Sequence, residues 1–202
     1  SKPITPTTAG DIGERMILAP MELNPEISAH EVRTSVLALA ESYNTVVIVP
    51  SNSVAAQWKE LIGDPTRIIK ADDVADIVTR LRSGEHVGLV VLVNKYDGID
   101  LPGDACRVLV LDGLPEAFSG EERLETLLTS RESGTDDRQV QRIEQGMGRG
   151  VRSNEDHCVV LLLGARLTQL VRDPDTFALF SPATQAQLQQ SRKMAANLVD
   201  QP

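Results

Sequence analysis

Val87-Gly88-Leu89-Val90-Val91-Leu92-Val93 carries no polar side chain, and Asn94-Lys95-Tyr96-Asp97-Gly98-Ile99-Asp100-Leu101-Pro102-Gly103-Asp104 follows it at once. The apolar run is far shorter than the roughly 20 residues that a bilayer span requires. It does not alternate with polar residues, so it reads as a strand buried on both faces, the situation of a parallel sheet covered by helices. Five other short runs read as strands: Arg15–Ala19, Thr45–Val49, Arg67–Ile69, Val108–Leu111 and Cys158–Leu163.

Between these runs the apolar residues recur at three- and four-residue steps. Asn24 and Pro25 open a helix carrying Val32, Val36, Leu39 and Tyr43. Ser51 caps a second helix with Val54, Trp58 and Leu61, and a third carries Val74, Ile77, Val78 and Leu81 before Ser83-Gly84 ends it. Strand–helix–strand alternation predicts a three-layer α/β domain: a mainly parallel sheet of about six strands with helices on both faces. The chain divides into a lead-in at 1–13, a domain at 14–170 and a helical tail at 171–202. It opens Ser1-Lys2-Pro3 without an initiator methionine, as an excised or processed piece of something longer does. Residues 117–137 are polar, with six acidic residues against two arginines, and read as a helix flanked by mobile loops.

Composition narrows the partners. Apolar residues are 41% of 202 and the 14 glycines add about 7%, which excludes a disordered chain. Twenty Lys+Arg against 29 Asp+Glu leave a net charge of −9, and a general polyanion binder is basic. Only a local basic patch brings nucleic acid back. Aromatics at 3% are too few for a platform stacking many bases. No signal segment opens the chain. Cys106 and Cys158 read as buried free thiols of a cytoplasmic protein, in preference to a disulfide. His30, His86 and His157 have no ligand spacing with the cysteines, so no metal site is expected.

Ligands of an open parallel sheet sit beyond the carboxyl ends of its strands. Two segments stand out. Asn94–Asp104 holds two glycines, a proline and three carboxylates, which suits close approach to a ligand, or plain turns stabilised by aspartates. Arg138–Arg152, placed on a helix, gathers Val140, Ile143, Met147 and Val151 into an apolar stripe. Arg138, Gln141, Arg142, Gln145, Arg149 and Arg152 lie opposite. Four arginines offset by Glu144 make a positive patch suited to phosphate oxygens, or a solvated charged face. Gly146, Gly148 and Gly150 argue against an uninterrupted helix and for close approach of a partner or ligand. No Gly-x-x-x-x-Gly-Lys-Ser/Thr occurs in the sequence, nor an Asp-Glu pair at the end of an apolar strand or a Gly-x-Ser-x-Gly elbow. Alone, the chain supplies at most half of a nucleotide hydrolase.

These segments resemble two motifs of superfamily 2 helicases. Gln145-Gly146-Met147-Gly148-Arg149-Gly150-Val151-Arg152 matches Gln-x-x-Gly-Arg-x-x-Arg, the sixth motif. Asp97-Gly98-Ile99-Asp100-Leu101-Pro102-Gly103 looks like the fifth, in the form of the DEAD/DEAH-box branch that includes XPD-like DNA helicases. The resemblance implies the second, C-terminal RecA-like motor domain of a helicase or translocase acting on nucleic acid, DNA by preference. ATP with Mg2+ is then held mainly by an N-terminal RecA-like domain of the same protein, and none is expected tightly bound to this chain. Arg149 and Arg152 are implied as arginine fingers and Gln145 as an organiser of that interface. Gly98, Asp100 and Gly148 are implied beside the nucleotide, and Ser51, Asn94 and Lys95 against the nucleic-acid strand. Many members have Thr or Ser where Asn94-Lys95 stands here, and the acidic stretch 121–137 has no evident counterpart. The chain by itself is expected to have no ATPase activity. A non-catalytic interaction domain derived from the same fold is the alternative.

Overall fold

The computed structural model describes residues 14–69, 73–96, 101, 103–114, 132–147 and 157–199. Six parallel strands form one sheet: β1 (Glu14–Leu18), β2 (Thr45–Val49), β3 (Ile68–Ile69), β4 (Leu89–Val93), β5 (Val108–Asp112) and β6 (His157–Leu163). Their order across the sheet is β1-β6-β5-β2-β4-β3. The run that opened the sequence reading is β4, and β2 and β5 are buried at every position. Two-sided burial explains their lack of alternation: Val46, Ile48, Val90, Leu92, Leu109 and Leu111 face one core, Val47, Val49, Val91 and Val110 the other.

Helices cover both faces. On one side α2 (Ala29–Leu39) contributes Val32 and Val36, and α3 (Asn52–Ile62) contributes Ala55 and Trp58. On the other, α4 (Val74–Arg82), α5 (Glu132–Met147), α6 (Ala165–Arg172) and α8 (Pro182–Val199) bury Ile77, Ile143, Leu170 and Leu188. Two four-residue helices complete the fold, α1 (Pro20–Leu23) and α7 (Pro174–Phe177).

Three local expectations need correction. The cap of α2 is Ser28, not Asn24. Ser28 Oγ accepts from the Glu31 backbone N–H and the Glu31 carboxylate accepts from the Ser28 N–H at 2.8 Å, closing a capping box. Asn24 instead ends α1 and turns the chain toward Glu26 through its Oδ1. The α2 stripe also stops short: the helix ends at Leu39, which is 41% exposed, and Tyr43 beyond it is 50% exposed. Third, Gly146 does not interrupt a helix: α5 continues through it to Met147.

Between 167 and 199 the chain contributes to the same core. Leu167, Leu170 and Val171 are fully buried, and Ser191 Oγ of α8 donates to the Ile17 carbonyl of β1 at 2.6 Å. At the amino edge, buried Asn44 ties together the segments entering β4 and β5. Its amide donates to the Glu85 and Asp104 carbonyls and accepts from Val87 and Gly88 N–H.

Candidate functional site at the carboxyl edge of the sheet

From β2 the chain moves outward to β3 and β4, whereas from β5 it moves the other way to β6. The adjacent strands β2 and β5 therefore discharge their loops in opposite directions, which opens a crevice above their carboxyl ends. The crest is built from short, close contacts. Gly113, at φ 96, follows β5, and a Cβ there would meet the Pro50 ring at 3.0 Å. Its N–H donates to the Leu163 carbonyl at 2.9 Å. Gly164, at φ 109, lies against Gly113 in turn. Both positions demand glycine because an L side chain is strained there and the neighbouring backbone is close.

Asn94 leaves β4 with φ 55, a left-handed conformation that asparagine tolerates better than most residues. Its N–H donates to the Val49 carbonyl at 2.8 Å. Since Val49 and Val93 are register partners, Ser51 and Asn94-Lys95 stand on neighbouring strand ends. Ser51 caps α3, accepting weakly from the Val54 N–H at 3.4 Å and sharing a hydrogen bond with Ser53. The structure thus brings together the three residues singled out for strand contact. Tyr96 follows, buried, and its hydroxyl donates to the Gly113 carbonyl at 2.9 Å. Burial, and then the nearby Asp112 carboxylate, push its phenol above the usual tyrosine value, so it remains a donor.

Helix α5 lies across this edge. Near its start, Asp136 and Gln139 hold Arg166, just beyond the end of β6. Near its end, Gly146 packs on Leu111, where an added Cβ would sit 3.2 and 3.3 Å from the two δ-methyls and 3.6 Å from the Tyr96 ring. The glycine's close approach is therefore to this chain's own β5. Val140, Ile143 and Met147 form the expected apolar stripe, fully buried, while Arg138, Gln141 and Gln145 are exposed. Glu144, read from sequence as offsetting the arginines, also accepts from the Ser181 N–H at 2.9 Å. Gly98, Asp100, Gly148, Arg149 and Arg152 lie outside the described residues, as does most of 117–137.

Sequence reasoning missed one cluster. Asp112, at the carboxyl end of β5, is 2% exposed. It accepts from Arg33 Nε at 2.8 Å, from Arg33 Nη2 at 3.3 Å and from Trp58 Nε1 at 2.7 Å. Arg33 also lies over the Trp58 ring. Arg33 and Trp58 are 79 and 54 positions from Asp112, and the only local signal was a carboxylate ending a strand that is otherwise apolar.

An all-parallel, six-stranded α/β sheet with a crevice at β2/β5 and a helix laid over its carboxyl edge is a RecA-like domain. Residues 28–174 match the family described as Helicase C-terminal domain, and the chain belongs to that family. Solved structures with a similar fold include an XPD helicase, at TM-score 0.55 and 16% identity, over 84% of this chain and 34% of that one. Xpd4 of S. tokodaii matches at TM-score 0.52 and 19% identity, over 84% and 37%. Dbp5 of S. cerevisiae bound to RNA and ADP BeF3 matches at TM-score 0.53 and 10% identity, over 95% and 46%. The chain spans less than half the length of each. No match to a curated protein was found. Among the described residues no helix is long and apolar enough to cross a membrane.

Proposed function

We propose that this chain is the C-terminal motor domain of an ATP-dependent helicase or translocase acting on single-stranded nucleic acid, DNA by preference, and working against an N-terminal RecA-like domain of the same protein. The observation that carries this reading is the packing of Gly146 on Leu111 and Tyr96. It seats the end of α5, which carries the start of the sixth motif, beside the loop that leaves β4 into the fifth. Arg149 follows Gly146 by three residues in the sequence.

Bound ATP with Mg2+ supplies a phosphoryl group whose transfer to water drives domain movement. The fit to it on this side is cationic: Arg149 and Arg152 meet charge developing on that group, a contribution of about 10³–10⁵ in rate where such fingers act. Gln145, exposed near the end of α5, orders the interface, and Gly98, Asp100 and Gly148 lie against the nucleotide. Tyr96 couples the two motifs, since its ring touches the Gly146 side of α5 and its hydroxyl holds Gly113. On the other side of the crevice, the α3 N-terminus at Ser51 offers backbone N–H groups to a strand phosphate. Lys95 adds a positive charge and Asn94 a side-chain amide. An acidic chain binds a strand through such a local patch with a steep loss of affinity as salt rises.

Arg149→Ala and Arg152→Ala in the full-length protein test the assignment by steady-state ATPase. Each is expected to lower turnover at least about 10³-fold while leaving the folded state intact by circular dichroism. Near wild-type turnover in both variants refutes the finger assignment.

A further inference from the structure

The amino edge of the sheet, opposite the crest, holds a groove of about 740 Å³ whose lining includes Arg15, Met16, Arg107, His157, Cys158 and Ser191. Leu39, Tyr43 and Met194, all partly exposed, also line it. Cys158 stands on its wall, and Cys106 lies directly behind. The register pairs Val108 of β5 with Val159 of β6, and the Val159 N–H donates to the Arg107 carbonyl at 2.9 Å. Cys106 therefore lies in the segment entering β5, beside the start of β6 that carries Cys158. The Cys106 thiol lies within hydrogen-bond reach of the Cys158 sulfur. Both side chains enter the same core cluster, and both thiols are free.

The two sulfurs are not equivalent. The Cys106 thiol has two acceptors in reach, the Cys158 sulfur and the Val108 carbonyl at 3.4 Å. The hydrogen bond from Cys106 holds the Cys158 thiol below the usual cysteine value against the opposing effect of burial, helped by the Leu109 backbone and the Arg15 and Arg107 charges. The same bond, together with burial, pushes Cys106 well up. Arg107 is itself paired with Asp104 at 2.6 Å, whereas Arg15 Nε is buried without a hydrogen-bond partner among the described residues. Cys158 lines the groove and Cys106 does not, and a cysteine on a groove wall with a second thiol in contact behind it is the arrangement of a redox-active pair.

We propose that Cys106 and Cys158 form a reversible dithiol–disulfide pair, in which Cys158 meets a peroxide admitted through the groove and Cys106 closes the bridge. The Cys158 thiolate attacks the distal peroxide oxygen. The O–O bond breaks, and the departing oxygen takes up the proton that Cys158 released, leaving as an alcohol or as water. Cys106 then attacks the sulfur of the resulting sulfenic acid, the S–O bond breaks, and the hydroxide leaves as water with the Cys106 proton. Two thiols are oxidised by two electrons and one peroxide is reduced. The bridge joins the segment entering β5 to β6 at the edge remote from the crest, and a thiol reductant reverses it.

The test is intact-mass spectrometry of the folded chain after hydrogen peroxide, with alkylation by N-ethylmaleimide and peptide mapping. The wild-type chain is expected to lose two hydrogens and both alkylatable thiols, to yield one cross-linked peptide pair containing Cys106 and Cys158, and to recover fully with a phosphine reductant. Cys106→Ser is expected to stop at a single added oxygen on Cys158 that dimedone traps. Cys158→Ser is expected to leave Cys106 alkylatable. Retention of both thiols, stable oxygen addition at Cys158 in the wild type, or disulfide-linked dimers in place of the internal bridge would overturn the proposal. Ready oxidation of Cys106 in Cys158→Ser would overturn the assigned order.

Discussion

Asp112→Asn removes one charge from the buried cluster under the crest while keeping the side chain's shape. The Asp112 and Arg33 side chains are only 3% and 13% exposed, so water replaces little of what is lost. The carboxylate receives three donors, two from Arg33 and one from Trp58. Asparagine offers one acceptor oxygen and turns an amide NH2 toward the remaining donor. A hydrogen bond to a buried charge contributes about 1.5–3 kcal/mol, and stripping one partner from a buried ion pair costs about 3–5 kcal/mol. Retention of part of the bonding places the expected loss near the lower end, about 3 kcal/mol. With a urea slope of about 2–3 kcal/mol per molar, the unfolding midpoint falls by about 1 M. Far-UV circular dichroism follows the whole domain, and fluorescence of Trp58, the sole tryptophan, follows the cluster itself. Arg80→Ala is the control. It breaks an Arg80–Glu85 pair of similar geometry, 2.5 Å at its shortest, whose partners are both nearly half exposed. It is expected to leave the midpoint unchanged, because solvent screens such a pair. A midpoint for Asp112→Asn within about 0.2 M of wild type would refute the view that burial makes this pair matter.

Ser191→Ala strips the buried hydroxyl that links α8 to the Ile17 carbonyl across 174 positions, and is expected to cost about 1–2 kcal/mol in the same titration. Gly146→Val places branched methyls where one Cβ already meets Leu111 at 3.2 Å; overpacking of about 1–3 kcal/mol is expected, with reduced ATPase in the full-length protein. Ser28→Ala opens the α2 capping box at a cost of about 1 kcal/mol at neutral pH, read from the shift in midpoint. The Ser28 side chain, and then its backbone N–H, lower the pKa of Glu31 from its ordinary 4.5. The carboxylate's part in the box is therefore complete above pH 4.5 and is lost as the pH falls through the lowered folded value, so the gap between wild type and variant narrows in acid to what the Glu31 N–H to Ser28 Oγ bond contributes.

The strands were legible because two-sided burial leaves a signature that needs no context. Thr45–Val49 has the boundaries read from its residues, and β4 lost only Val87-Gly88 to the turn before it. The stripe of α5 was legible for the same reason, since Val140, Ile143 and Met147 repeat at helical spacing and are all buried. Helix starts were harder. Asn24-Pro25 and Ser28-Glu31 are both acceptable openings, and the reciprocal bonds of the second prevailed over the proline of the first. Gly146 was misread because helix propensity is a local cost. What offsets it is contact with Leu111, 35 positions away in sequence.

By itself the sequence determined the layered α/β class and the family, because hydrophobic periodicity and motif spacing are properties of neighbouring residues. Only the tertiary structure decided what lies beside what. It set β5 between β6 and β2, joined Arg33 and Trp58 to Asp112, laid α5 over the carboxyl edge, and brought Cys106 against Cys158. Those pairings follow from strand order and from the desolvation of charges and thiols in a shared core. Neither is written in any short stretch of chain.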